Sequence, residues 1–573
     1  MKFKKHYPFS ARATQYARDV VDGKIIAGRL TVLACARHLA DLKRAEADPA
    51  FPYEYDPAKG DRICAFASNL VHVKGKWAAS EDPRIKLEDW QCFMLAVPFG
   101  WVNKSDGLRR FCEVYAEVAR KNGKSIIAAI VGLYMMLCDG EPGAEVYAGA
   151  TSEKQAMEVF RPAWLMTKKT PSFAPHFGVD FSGTVKNPGP LYRIKDVSRF
   201  EAVVHNPGDG ASPHCGIVDE YHEHRTPDLY DTFATGMGAR SQPLLFVITT
   251  AGKDTSGPCY AKRTLAKSVL EGSVENDTLF AIIYTLDDDD DWTDFEVWKK
   301  ANPNIGVSVH VSYLQKRLAV ARQSPETANV ILCKHLNRWT NAGSAWLDMV
   351  KYAAAADTSL DVQEFMGVDA FAAMDLANKI DLAALVIFVR ASWGWAMFAK
   401  HYLPEETVNK DCNAHYRQWR DQGWLTVTDG ARTDFGRIED DLREFADVLA
   451  IQELAFDPRE ASYFVQQIGE WASFECVEVP QSPAHISEPM KELEAALYNG
   501  EIRHNGDPLL AWQFGNVIRK KAKGGGEQKA YYPTKETGAS KIDAAVAAIM
   551  AMSRAKAAVD CGQSIYETQE GLL

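Results

Sequence analysis

Residues 114–138 read VYAEVARKNGKSIIAAIVGLYMMLC. A strand-like run ends at Gly123-Lys124-Ser125 and passes into an apolar, helix-like stretch. A phosphate-binding loop needs backbone N–H groups converging at a helix start, a lysine that reaches the β- and γ-phosphates, and a hydroxyl that reaches Mg2+. Lys124 and Ser125 supply the last two. The usual spacing, G-x4-G-K-[ST], would place its first glycine at position 118, and Val118 stands there. A G-K-[ST] tripeptide arises by chance in roughly one chain in three of this length. A solvated turn before a core helix would carry the same residues, so the surroundings must decide.

Two downstream stretches supply them. CGIVDE (215–220) reads as a buried strand ending in Asp219 and Glu220, and LLFVITTAG (244–252) places Thr249 and Thr250 at another strand end. An acid at a strand tip can hold Mg2+ through water, and its neighbour can orient an attacking water. Polar residues on the next strand tip can sense the γ-phosphate. A single D-E pair is otherwise a solvated loop or a helix start. In this order the three stretches lay out an additional-strand P-loop ATPase. His214, His222 and His224 flank the acid pair; their spacing matches no common ligand pattern, and they read as loop histidines. Asp287–Asp291 reads as a solvated turn.

The wider composition is globular: 573 residues, 46% hydrophobic and 25% charged, enough for two to four domains. A net charge of -11 argues against a coat that neutralises nucleic acid over its whole surface, but permits a locally basic channel. Eleven cysteines without a C-x-x-C pair disfavour zinc ribbons and disulfide frameworks and suit a reducing cytoplasm. The basic N-terminus lacks the apolar core of a signal peptide, and the longest apolar run, Ile126–Cys138, is too short to span a bilayer. No membrane association is expected.

Residues 10–45 are helical in pattern, and strands alternate with helices between 87 and 252. LFAIIYTL (279–286) reads as a further strand and 298–339 as mostly helical. The pattern loosens over 340–366, and a second α/β pattern starts at 368. These shifts predict a helical lead-in at 1–80, a P-loop ATPase domain at 81–350, a linker at 351–366 and a second domain at 367–573.

In the second domain, Asp375 ends the strand-like FAAM, Asp457 follows ELAF, and Asp543 opens the last long helix. Singly each is an ordinary structural acid; Asp543 would merely suit a helix N-terminus. Together, two strand-end acids and a helix-start acid suggest an RNase H-like nuclease, in which two metal ions clamp the attacking and leaving oxygens of a phosphodiester. Asp381 and His504 are possible extra members. Lys520, Lys521, Lys523, Lys529 and Lys535, interleaved with glycines and Tyr531-Tyr532, read as a basic hairpin on the DNA backbone or as a solvated linker.

At this point the chain resembles the large terminase subunit of tailed double-stranded DNA bacteriophages, in the branch whose phosphate loop reads R-K-N-G-K-S and lacks the first glycine. Arg120-Lys121-Asn122-Gly123-Lys124-Ser125 matches it. EDWQCFMLAVPFGW (88–101) resembles the upstream element whose glutamine, here Gln91, contacts adenine. YARDVVDGKIIAGRLTVLACARHLADL (16–42), GATSEKQAMEVF (149–160) and DDDDDWTDFEVWKKANPNIG (287–306) resemble other ATPase segments. MDLANKIDLAAL (374–385), AFDPRE (455–460) and SKIDAAVAAIMA (540–551) resemble the three nuclease motifs.

The resemblance covers nearly the whole chain. It implies an ATP-driven motor that packages viral DNA and cuts concatemeric duplex by two-metal hydrolysis. Lys124 and Ser125 would bind phosphate and Mg2+, Asp219 would complete that Mg2+ site, and Glu220 would be the catalytic carboxylate. Thr249 and Thr250 would couple hydrolysis to movement. Arg120 would stabilise the transferring phosphoryl group or sense the nucleotide, with another arginine, Arg161 being one candidate, reaching in from a neighbour. Asp375, Asp457 and Asp543 would hold two Mg2+ or Mn2+. The implied partners are double-stranded DNA, a small terminase subunit and the procapsid's portal protein, on which the chain would form a homo-oligomeric ring. The implied location is the infected host's cytoplasm, with the protein absent from the mature virion. The competing readings are a host or mobile-element helicase or repair ATPase-nuclease, and a scaffold carrying a decayed ATPase.

Overall fold

A computed structural model describes residues 7–204, 208, 210–255, 257–322, 325–340, 346–377, 381–410, 414–521, 530–535 and 540–562. The chain divides into two compact units, Met1–Thr340 and Asn341–Leu573.

The first unit opens with helices Pro8–Val21, Arg29–Ala47 and Pro57–Asn69, followed by Asp89–Gly100. Prolines occupy the first helical positions of two of them, where a missing N–H costs nothing. Its strands are β1 (Tyr53–Tyr55), β2 (Trp101–Asn103), β3 (Glu113–Glu117), β4 (Glu145–Ala150), β5 (Val179–Gly183), β6 (Pro188–Arg193), β7 (Ser198–Val204), β8 (Cys215–Asp219), β9 (Leu244–Thr249) and β10 (Leu279–Ile283). Apart from the β1–β2 pair they form one sheet, ordered β10-β3-β9-β8-β4-β7-β6-β5. From β10 to β7 every pairing is parallel. The additional strand, β9, lies between the phosphate-loop strand β3 and the acidic strand β8. Antiparallel β5 and β6 extend the far edge. Sequence patterning misses this edge because β5 is short and mostly exposed. Helix Lys124–Leu137 is apolar all round because the sheet and the helix Glu153–Lys169 cover it.

The second unit holds β11 (Asp369–Asp375), β12 (Ala383–Ala391), β13 (Gly394–Pro404), β14 (Thr426–Thr428), β15 (Ala450–Phe456), β16 (Glu475–Glu478), β17 (Ile502–His504), β18 (Ile518–Lys521) and β19 (Tyr531–Thr534). The main sheet runs β14-β13-β12-β11-β15-β16, with β17 also on β13. β11, β12 and β13 are antiparallel neighbours, whereas β15 lies parallel to β11. β12 is buried on both faces and shows period two. Ala384, Val386 and Phe388 enter a core with the alanines of helix Asp543–Gly562. Leu385, Ile387 and Val389 enter another with Ile438 and Leu442 of helix Phe435–Val448. The result is a three-layer RNase H-like α/β/α arrangement.

The boundary between the two units falls at Thr340, whereas the sequence reading ends the first domain at 350 and sets a linker at 351–366. Trp346, Leu347 and Tyr352 are buried in the second unit's core, and helix Met349–Ala354 packs there. Short elements with scattered anchors carry little periodicity, which is why this segment reads as loose.

Gly394 turns the chain between β12 and β13 at φ +138°, and a Cβ there would strike the Glu501 carbonyl. Gly394→Ala is expected to destabilise the second unit by about 2 kcal/mol, which calorimetry should register as a melting point lower by roughly 4–8 °C.

Candidate active sites

The phosphate loop is built from inside. Asn122 is fully buried; its Nδ2 donates to the Ala119 carbonyl at 3.0 Å and to Asn302 Oδ1 at 3.1 Å, and its Oδ1 accepts from Asn304 N at 3.0 Å. Ser308 Oγ donates to the Lys121 carbonyl at 2.7 Å. The Asn302-Pro303-Asn304 element therefore clamps the loop, and a glycine at 118 is not needed for its shape; Val118 is buried, its N–H bonded to the Thr249 carbonyl. Lys121 and Gly123 adopt positive φ, +73° and +88°. Gly123 sits at the left-handed N-cap of helix Lys124–Leu137. Gln91 Oε1 accepts from Glu88 N at 2.9 Å in a capping box, and its Nε2 lies beside Gly123.

Lys124, in the helix's first turn, is buried, and its Nζ lies 3.3 Å from both carboxylate oxygens of Glu220. Ser125 follows it, half-buried. Arg120 is exposed, with its N–H bonded to the Lys334 carbonyl at 3.1 Å. Glu220 stands in the left-handed region, φ +46° and ψ +50°, an uncommon state for a non-glycine and one that collects at functional sites. Burial would lift its carboxyl, but Lys124, His222 and Arg120 outweigh that and hold it well below the usual range. Burial drives Asp219 the other way, and the neighbouring Glu220 charge adds to it, pushing its carboxyl up to about 7. Asp219 Oδ1 is buried and unpartnered. An orphaned acid oxygen next to a phosphate loop fits a divalent cation, whose charge would restore the ionised form.

Thr250 Oγ1 donates to Glu220 Oε2 at 3.3 Å, so the β9 tip touches the β8 acid. Ala251 N donates to Asn337 Oδ1 at 2.6 Å, and Asn337 Nδ2 donates to the Tyr284 carbonyl at 2.8 Å. The three flanking histidines lie in loops or a short 3-10 turn, and each has a side-chain partner. His214 is buried against Asp139 at 2.9 Å, His224 Nε2 meets the Asp219 carbonyl at 3.3 Å, and His222 joins the Glu220 network. Arg161 donates to the Lys186 carbonyl at 3.2 Å.

In the second unit, Met374 and Phe456 are register partners on parallel strands, so Asp375 and Asp457 follow at the same sheet end. Asp543 begins a helix packed on β11, β12 and β15. Ala544, Ala547, Ala548 and Ala551 are fully buried, and these small side chains let the helix lie close to the sheet. A buried polar chain fixes its start. Gln513 Oε1 accepts from Ala544 N at 2.8 Å, and Gln513 Nε2 donates to His401 Nδ1 at 3.1 Å. His401 Nε2 in turn meets Asp507 Oδ2 at 2.8 Å. No sequence pattern links these three residues.

Burial raises Asp375 well above the usual range, and the charges of Asp543, Asp457 and Asp381 add to it, against a 3.2 Å hydrogen bond from Gln481. Burial, with Asp381, pushes Asp543 up to about 6, and its Oδ2 is buried without a partner. Among the described residues, no three His, Cys, Asp or Glu side chains form a closed cage for one ion. The mutual repulsion and the orphaned oxygen nevertheless fit cations between these acids. Asp381 is held low despite partial burial, because Lys541 and Lys535 bond it. His504 is no member of the group: it is buried on β17, bonded to the Tyr352 carbonyl at 2.9 Å and stacked on that ring.

The basic hairpin is partly as expected. β18 and β19 pair antiparallel, and Lys520 is exposed on β18, which Lys521 ends. Lys523 and Lys529 lie outside the described residues. Lys535 lies 3.4 Å from Asp381 and so faces the acid group.

The first unit's sheet, parallel at its centre with an additional strand, is that of an ATPase, and the second unit's mixed sheet with acids at one end is that of a nuclease. Family profiles described as the terminase large subunit ATPase domain and endonuclease domain match residues 89–268 and 273–558. The chain is 41% identical over 360 residues to Protein YmfN of Escherichia coli strain K12, covering 61% of this chain and 78% of that protein. It is 26% identical over 516 residues to the terminase large subunit of Enterobacteria phage HK97, covering 87% and 96%. The crystal structure of the HK97 large terminase overlays with a TM-score of 0.44 at 23% identity, covering 87% of this chain and 99% of that one. The chain belongs to the terminase large subunit family. It is an ATPase and a DNA endonuclease that drives viral DNA packaging with ATP, acting on DNA with the phage packaging machinery. Nothing supports the helicase reading: the second unit is the matched endonuclease, not a second ATPase lobe.

In the folded, metal-free protein Asp543 holds its proton up to about pH 6, against an ordinary value of 3.8. Folding therefore takes up a proton between these values, and this carboxyl's contribution to stability is lost as pH rises from 3.8 to about 6. Asp543→Asn is expected to stabilise EDTA-treated protein near neutral pH by about 1–3 kcal/mol, with little effect below that window. Thermal unfolding of both proteins at the two pH values measures it.

Proposed function

We propose that the first unit hydrolyses Mg-ATP with Lys124, Ser125 and the loop N–H groups of Lys121–Ser125 on the triphosphate. The paired contact of Lys124 Nζ with both Glu220 oxygens at 3.3 Å carries this reading. It ties the phosphate-binding group directly to the group that would direct water. Asp219 completes the Mg2+ site through its orphaned Oδ1, and Gln91 meets the adenine next to Gly123. The inward Asn122 side chain leaves backbone groups, not its amide, to face phosphate. Arg120 acts on the nucleotide in its own subunit. Thr250, bonded to Glu220, and Thr249 pass the change at the γ-phosphate to the rest of the motor.

The second unit would use Asp375, Asp457 and Asp543 for two Mg2+ or Mn2+ ions, which when bound activate the nucleophile and stabilise the leaving oxygen. The three acids hold and orient, and Lys520 with Lys521, Lys523 and Lys529 follows the DNA backbone. Lys535 serves the acid group through Asp381. Assembly as a ring on the portal, association with a small terminase subunit, action in the infected host's cytoplasm and absence from the mature virion complete the reading. The domain limits that accord with it are an ATPase to about residue 340 and a nuclease beyond it.

Lys124→Ala or Glu220→Gln should lower ATP turnover at least about 100-fold and leave metal-dependent plasmid cutting within about threefold. Asp375→Ala should do the reverse. Cutting at the wild-type rate by Asp375→Ala would remove the carboxylate assignment.

A further inference from the structure

His222 lies two residues beyond Glu220 on a short 3-10 turn, and its side chain is 3% exposed. Its Nδ1 is 3.2 Å from Glu220 Oε2 and 3.1 Å from Thr249 Oγ1. Its backbone N–H also donates to Thr249 Oγ1 at 3.1 Å. The hydrogen inventory around the ring is restrictive. Thr249 Oγ1 donates to the Thr250 carbonyl, so its oxygen accepts; Thr250 Oγ1 donates to Glu220. Nδ1 also lies 3.4 Å from Thr250 Oγ1, and because the Glu220 carboxylate has no hydrogen to give, an N–H at Nδ1 is the arrangement that bonds His222 to Glu220. On the other side, Nε2 lies 3.3 Å from Lys334 Nζ and 3.1 Å from Glu223 Oε1. Lys334 belongs to helix Pro325–His335, and its carbonyl receives the Arg120 N–H.

Glu220 thus has three holders: Lys124, Thr250 and His222. Lys124 is also the group that a triphosphate claims. Once its ammonium turns to phosphate, the carboxylate depends on the other two. We propose that His222 is the positioning residue that keeps Glu220 in its left-handed, water-directing pose while Lys124 is engaged with nucleotide. Its second ring nitrogen ties that pose to Lys334 and so to the phosphate loop at Arg120. The inference rests on Glu220 being the catalytic carboxylate. It adds a residue whose contact is with Glu220 and not with the nucleotide.

The two ring nitrogens provide the test, because an asparagine amide can replace Nδ1 whereas a glutamine amide reaches toward the Nε2 position. His222→Ala should lower kcat for ATP about 10- to 100-fold with KM and Mg-ATP affinity within about threefold. His222→Asn should recover most of the loss, and His222→Gln should behave like alanine. An unchanged kcat in His222→Ala overturns the proposal. So does an equal loss in all three variants accompanied by lost Mg-ATP binding, which marks a merely structural residue. Glu220→Gln, measured alongside, separates the levels: retained turnover there overturns the reading of Glu220 together with this proposal. Lost turnover there beside an unaffected His222→Ala overturns the proposal alone.

Discussion

A buried lysine ammonium held against a carboxylate at the end of the parallel strands is the constraint on which the first unit turns. Lys124 sits against Glu220, while Asp219, one residue earlier, is crowded, desolvated and left with an orphaned oxygen. Unpaired buried charge is expensive, and these three groups offset one another only in part. The remaining imbalance is positive charge missing at Asp219, which a divalent cation would supply. Strand order makes this possible. With β9 between β3 and β8, the loop, the acid pair and the Thr249–Thr250 tip all reach the same end of the sheet.

The second unit solves the opposite problem. Its acids repel one another, and like charges brought together oppose folding. Rigid surroundings hold it together. β11 and β15 run parallel in fixed register, an alanine-rich helix lies close to them, and the Gln513–His401–Asp507 chain pins that helix at the residue next to Asp543. Asp381 stays ionised in the same neighbourhood because Lys541 and Lys535 neutralise it. A lysine expected on the DNA face thus belongs to the acid group's own charge balance.

Much of this was legible in the amino-acid order. β8, β9 and β10 fall within the runs read as strands, and the strand-like FAAM and ELAF lie inside β11 and β15, since a strand buried on both faces is written as an unbroken apolar run. The resemblance to large terminases held, as did the fold class, because Lys124-Ser125, Asp219-Glu220 and the strand-end acids lie beside the elements that place them. The unit boundary at Thr340 left no mark in the sequence pattern, because Trp346, Leu347 and Tyr352 are anchors too sparse to show a period. The β5–β6 edge was invisible for a related reason: an exposed edge strand needs no apolar alternation.

What the sequence by itself determined is the kind of chemistry: a lysine and hydroxyl at a helix start, acids at strand ends, and the order in which they occur. Local periodicity and composition encode such positions because each depends on its own strand or helix. Only the tertiary structure decided which side chains share charge. His222 with Glu220, Asn122 with Asn302, Lys535 with Asp381 and Gln513 with the Ala544 N–H are separated in sequence by anything from two to 180 residues. Hydrogen bonds and desolvation act over a few ångströms of space, and no spacing along the chain records that distance.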